Sequence, residues 1–249
     1  MKNKIFLFLS VLMLVFTRSQ NLHIKYTYVN PVNFLINEDL YVSGNYALSI
    51  RDSVMLKKEK NQLKVEGNNV EILGKVTKQK TKYYKTSLNE TLIINEFIGE
   101  NSYWISDQLP KIVWNTNFVE TKKIGKYVCK KATAVFRGSK VAAYYALDLP
   151  FSFGPYKFSG LPGVILEVTE DEKSVNSWKA DLIESYVSKK IELMAPKNNT
   201  ISYKEFIHLQ ENKDLEEVKR LTSNLPRGAV VHIDSPKRNG IEKKYEWEE

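Results

Sequence analysis

Residues 151–170, FSFGPYKFSGLPGVILEVTE, constrain this chain more than any other stretch. Two prolines and three glycines fall between Gly154 and Gly163, and an apolar run follows at once. Pro155 and Pro162 fix φ, lack an N–H donor, and push Gly154 and Leu161 away from helix. Gly160-Leu161-Pro162-Gly163 suits a turn, and Leu161-Pro162-Gly163-Val164 suits a type II turn in which Gly163 supplies the positive φ. Val164, Ile165, Leu166, Glu167 and Val168 then read as a strand. Tyr156 and Phe158 flank Lys157, so two aromatics surround a base. This is a stiff, aromatic, non-helical loop feeding a buried strand. It serves either as a chain reversal whose aromatics plug the core or as a shaped lip over a cavity.

Outside the loop, alternation dominates. In residues 22–29 Leu22, Ile24, Tyr26 and Tyr28 share one face, with His23, Lys25 and Thr27 on the other, which predicts a half-buried strand. Further short strands are expected at 46–49, 62–65 (ending at Gly67-Asn68-Asn69), 70–73, 83–86, 90–98, 102–106, 112–119, 127–136, 141–147, 164–168 and 177–188. Lys75, Lys78, Lys80 and Lys82 mark a solvated hairpin or edge. One helix signal stands late in the chain. Ser202 and Glu205 form a capping box, and Phe206, Leu209, Leu215, Val218 and Leu221 recur near helical spacing as far as Thr222. Asn224-Leu225-Pro226-Arg227-Gly228 ends it, residues 229–233 are a last strand candidate, and from Asp234 the chain reads as a charged, frayed tail. Many short strands separated by turn residues predict a mainly β fold. Its antiparallel sheet would form a barrel, half-barrel or sandwich with one C-terminal α-helix, in a single domain over residues 20–249. A half-open barrel with the helix over one face, as in periplasmic lipoprotein carriers, would make the inside an apolar ligand site.

Gly160-Leu161-Pro162-Gly163-Val164-Ile165 resembles the signature of the GLPGLI family, secreted proteins of Bacteroidetes named for that motif. The likeness extends upstream through Tyr103-Trp104, Asp107, Leu109-Pro110, Trp114, residues 120–132 around Cys129, Phe136-Arg137-Gly138, Leu149-Pro150 and Gly154-Pro155-Tyr156-Lys157-Phe158. Val164 stands where the name has Leu, Ser139 where a second Arg is usual, and Tyr144 where Trp is common. The resemblance implies a secreted protein and brings no established biochemical activity.

The first residues agree with export. Lys2 and Lys4 precede an apolar run over 5–16, followed by Thr17-Arg18-Ser19, which reads as a signal peptide over residues 1–19 cut after Ser19. The run is short for a membrane span, and no cysteine near the cut permits lipidation. Cleavage removes three positive charges and no acid, taking the formal net charge from +8 to +5. Lysines are dispersed rather than clustered, which suits a solvated surface or contact with anionic lipid or polysaccharide and argues against nucleic acid. The expected location is periplasmic or extracellular, peripheral rather than integral to the membrane. Cys129 is the only cysteine, so no internal disulfide forms and the core must hold without one.

Catalytic chemistry finds little footing. His23, His208 and His232 lie far apart without ligand spacing, so neither metal nor cofactor is expected, and His208 should face solvent. There is no Gly-x-Ser-x-Gly elbow. Tyr127, Cys129 and Lys131 share one strand face. Cys129 is either a small buried hydrophobe or a thiol activated by nearby lysines. Glu170-Asp171-Glu172 reads as a solvated turn. Arg137 either pairs with an internal acid or binds a ligand carboxylate or phosphate bidentately. Trp104, Arg137, Tyr144, Tyr156 and Phe158 are the candidate ligand-binding residues, and no residue is assigned a catalytic role. The expectation is a non-enzymatic envelope protein that binds an apolar or amphiphilic, lipid-like ligand or an envelope partner. The alternatives are a module riding on an outer-membrane receptor or secretion system, and a thiol-dependent enzyme using Cys129.

Overall fold

The computed structural model describes residues 21–30, 35–66, 69–170, 176–186, 191–223, 238 and 240–248. The expected signal peptide, Asp171, Glu172, the segment 224–233 and His232 lie outside the described residues. The strands are β1 (Leu22–Val29), β2 (Leu35–Ser43), β3 (Tyr46–Glu66), β4 (Asn69–Thr86), β5 (Thr91–Ile98), β6 (Asn101–Gln108), β7 (Thr121–Ile124), β8 (Tyr127–Phe136), β9 (Ser139–Ala146), β10 (Val164–Glu170), β11 (Ser177–Ser185) and β12 (Ile201–Ser202). One helix follows, α1 (Tyr203–Ser223).

All twelve strands form one sheet in the order β12-β6-β5-β4-β3-β2-β1-β11-β10-β9-β8-β7. The chain starts in the middle. From β1 it meanders outward through β2 to β6, crosses to the far edge at β7, and meanders back to β11, which closes onto β1. Pairing is antiparallel except for the two residues of β12 on β6. The sheet is not closed into a barrel but curls strongly. Arg137, in the β8–β9 turn, bonds Asp107 on β6, although those elements stand near opposite ends of the strand order. The mainly β, antiparallel expectation with one late helix therefore holds.

The interior of the curl is filled by the loop before β10. Phe153, Lys157, Phe158 and Leu161 are at most 2% exposed, and Tyr156 is 7% exposed. Phe158 packs 5.1 Å from Phe136 and 5.5 Å from Trp178, while Tyr156 stacks on Trp178 at 5.6 Å. β10 is buried on both faces from Val164 to Val168, which explains its continuous apolar run.

Several local expectations are corrected. The positive φ of the motif belongs to Gly160 (+93°) and not to Gly163. Gly163 is required by close approach, because a Cβ there would lie 2.1 Å from the Ala146 carbonyl oxygen. Residues 112–119 form no strand. They are the crossing from β6 to β7, tied to β8 by the bridge of Asn115 to Thr133 and by Lys131 Nζ 5.6 Å from the Phe118 ring centre, and to the inner loop by Trp114 Nε1 donating to the Ser159 carbonyl at 2.9 Å. The segments 46–49 with 62–65, and 70–73 with 83–86, fuse into the long hairpin β3–β4, whose outer part pairs only with itself among the described ladders.

The Ser202 cap is present, with Glu205 N donating to its Oγ at 3.1 Å. Among the described side chains of α1, however, the buried ones are Phe206 and Ile207, while Leu209 and Leu215 are exposed. The helix packs on β6 and β12. Glu170 is not in a solvated turn. It is 3% exposed and held by Lys243 (2.5 Å), Asn176 and Ser139. The expected loose tail is also overturned, since Ile241, Glu242 and Tyr245 are buried and the Arg137 carbonyl accepts from Lys243 N and Lys244 N. Apolar Ile241 and aromatic Tyr245 among the tail's charges anchor it.

Candidate functional site

A cavity of about 590 Å³ lies between the sheet, the inner loop, α1 and the C-terminal segment. The sheet supplies Tyr28, Arg51, Tyr83 and Trp178, the loop supplies Tyr156 and Lys157, and α1 roofs it with Tyr203, Phe206 and Ile207. Its volume falls within the range of small-molecule pockets, roughly 300–1,000 Å³.

One wall is a buried charge network. Arg137 and Gly138 both take positive φ (42° and 83°) in the two-residue turn from β8 to β9, which aims the guanidinium inward. It donates to Asp107 at 2.7 and 3.0 Å, to Glu242 at 2.5 Å and to Glu246 at 3.0 and 3.2 Å. Lys157 Nζ donates to Asp107 at 2.8 Å and to Glu242 at 2.9 Å, and lies 3.6 Å from the Tyr203 ring centre. Tyr156 and Tyr203 hydroxyls also donate to Glu242, at 2.8 and 2.6 Å. Burial alone would raise the Glu242 pKa, but Lys157 and Arg137 outweigh it and hold the carboxyl down at about 2.

A second buried acid fixes the loop. Glu38 accepts from Ser49 Oγ, from Trp178 Nε1 at 3.1 Å and from the backbone N–H of Tyr156. Tyr156 has φ +51°, which is uncommon for a non-glycine residue, and Glu38 secures that conformation. Lys85 donates to the Gly154 carbonyl at 2.6 Å, and burial pushes its amine down to about 8. The loop also borders a smaller cavity of about 290 Å³ through Ser152, Phe153 and Gly160.

Arg51 has a different setting. Its guanidinium lies 5.2 Å from the Tyr83 ring centre, 5.1 Å from Tyr156 and 5.9 Å from Tyr28. The nearest paired carboxylate is Glu96 at 3.9 Å, beyond hydrogen-bond distance. Burial disfavours the charge, but Tyr83, Glu96, Tyr156 and Glu38 outweigh it and raise the pKa, so Arg51 stays cationic.

Of the five sequence candidates, only Tyr156 lines the cavity. Phe158 is buried behind it. Arg137 is spent on internal acids, the first of the two roles weighed for it. Trp104, on β6, packs near Tyr84 of β4, and the Tyr144 hydroxyl donates to exposed Glu120. Cys129 is fully buried, and burial, reinforced by Glu167, pushes its thiol up to about 11, opposite to lysine activation. His208 is exposed on α1. Sequence reasoning missed Arg51, Trp178, Glu38 and Glu242. Glu38 and Arg51 stand at directly paired positions of β2 and β3, a juxtaposition with no sequence signal because β2 was not read as a strand.

Residues 135–167 match a family model described as a protein of unknown function (Porph_ging). The match spans β9, the inner loop and the start of β10. The fold resembles solved structures of PNGF-II in two crystal forms, with TM-scores of 0.52 and 0.51 and identities of 18% and 17%. The aligned region covers 77% and 76% of this chain but 33% of each PNGF-II chain, so the likeness extends over a third of those proteins. At this identity it shows a shared fold. No curated protein matches the chain.

Proposed function

We propose that the protein is an exported, non-enzymatic envelope protein of the GLPGLI type that holds a small amphiphile in the cavity beneath α1. The observation that carries this reading is the cavity itself, about 590 Å³ in volume and walled by rigid aromatic side chains from the sheet and the motif loop. Aromatic rings supply contact area, and a few convergent polar groups orient a ligand. The loop that leads into the motif supplies Tyr156 and Lys157 to this wall, while Gly160 of the motif borders the smaller cavity. The GLPGLI assignment is supported by the motif residues and by the family model lying over the same stretch. Export is supported by the basic, apolar and small-residue order of residues 1–19.

A fluorescent amphiphile, 8-anilinonaphthalene-1-sulfonate, tests the reading by equilibrium titration of the chain lacking residues 1–19. One saturable site is expected in the wild type. Ile207→Trp adds an indole to the cavity wall and should weaken binding at least about tenfold while circular dichroism stays unchanged. Equal binding by this variant would place the dye elsewhere and remove the support.

A further inference from the structure

Resting on the amphiphile reading, we propose that Arg51 is the seat of the ligand's head group and that this head group is a carboxylate. Three cations border the cavity: Arg51, Lys157 and Arg238. Lys157 is already held by Asp107 and Glu242 at 2.8 and 2.9 Å. Arg238 is held by Glu211 and Glu248, each at 2.7 Å. Among the described residues Arg51 meets no acceptor within hydrogen-bond distance; Glu96 Oε2 forms a longer ion pair at 3.9 Å, while the other oxygen of that carboxylate accepts from Thr81 Oγ1 at 2.7 Å. Its side chain keeps 19% of its surface exposed.

A guanidinium carries five N–H donors in a planar fork that matches a carboxylate bidentately. Three tyrosine rings hold that fork and contribute cation–π attraction, leaving its donors available. The other charges of the cavity set the valence. Asp52, Glu96, Glu211, Asp214 and Glu242 also border it and would repel a multiply charged head, so a monoanion fits better than a phosphate dianion. The ligand's remainder has an apolar bed, with Ile36, Ile94, Ile105, Phe206, Ile207 and Ile241 on the same cavity.

Calorimetric titration of the chain lacking residues 1–19 with decanoate, decanol and acetate separates the possibilities. Decanoate should bind about tenfold or more tighter than decanol, the range of a charge-assisted hydrogen-bond pair, and acetate should bind far more weakly. Arg51→Met should remove that advantage and leave decanol affinity within about threefold, while Arg51→Lys should keep part of it. Equal binding of decanoate and decanol would overturn the head-group seat yet leave the cavity reading standing. Acetate binding as tightly as decanoate would overturn the amphiphilic ligand in favour of a free small oxyanion. No binding by any of the three would defeat the cavity reading itself. Should Arg51→Met not fold, the carboxyl 13C resonance of labelled decanoate on the wild type gives the same answer. A carboxylate on Arg51 titrates below its free value, and one that titrates at or above that value refutes the assignment.

Discussion

At the residue scale, the interior is organised by charges that a mainly apolar β core would ordinarily exclude. Arg137, Lys157, Asp107 and Glu242 form a closed set of two cations and two acids, each 6% exposed or less, with Glu246 and two tyrosine hydroxyls completing it. Such a set tolerates removal of one member poorly, because the remaining charges stay buried and unpaired. Glu242→Gln is expected to lower unfolding free energy in urea by about 3–5 kcal/mol. The same carboxyl sets an acid limit. Its folded pKa, about 2, lies below the ordinary value of 4.5, so its contribution is complete above pH 4.5 and is lost as pH falls toward 2. Wild type should therefore lose stability over that interval, with a shallower slope in Glu242→Gln. Cys129 sits at the opposite extreme. It should resist a thiol reagent in the folded protein and react once denatured, and rapid labelling of native protein would restore the thiol-enzyme reading. The paired charges were hidden in the sequence because their partners lie 30 to 109 positions apart.

At the element scale, strands with clean alternation were legible. β1 was read at its true boundaries because its inward positions follow period two closely, and β8 because turn residues bound it, although its buried residues Cys129, Ala132 and Phe136 do not alternate. β2 escaped notice. Its inward register carries Glu38 beside Leu40 and Val42, and that charge, satisfied by Ser49 of β3, the distant loop and Trp178, disguises the buried face. The crossing at residues 112–119 has the opposite character: its Val and Trp content suggests a strand, but its task is to span from one sheet edge to the other. The motif loop was legible as rigid and aromatic, while the division of labour among its glycines was not. That division gives an ordering of variants. Gly163→Ala forces a methyl onto the Ala146 carbonyl and should cost about 3 kcal/mol or more. Gly160→Ala meets only Trp114 atoms at 3.7 Å and pays for its positive φ, about 1–2 kcal/mol. Thermal unfolding of the two variants checks the order, and the reverse order would mean that the turn conformation, not close approach, fixes the motif.

At the scale of the whole molecule, the topology explains why the site exists. A chain that begins at the centre of its sheet, meanders to one edge, crosses and returns from the other leaves a long curved sheet with an open mouth. The motif loop fills the closed part of the curl, and α1 with the C-terminal segment covers the remainder, leaving the aromatic cavity between them. The β class and the late helix were readable from the element pattern, whereas the half-open barrel under the helix came by analogy with periplasmic carriers. The cavity's lining was not readable, since it is assembled from β1 to β6, β11, the loop, α1 and the tail. The central claim is that this cavity carries a ligand in the cell. Native mass spectrometry of the protein purified gently from its own envelope tests it most directly. The expected spectrum shows an added mass in the lipid range, lost on organic extraction and absent from Ile207→Trp. A bare polypeptide mass from both proteins would contradict the ligand-binding account and turn attention to an envelope partner.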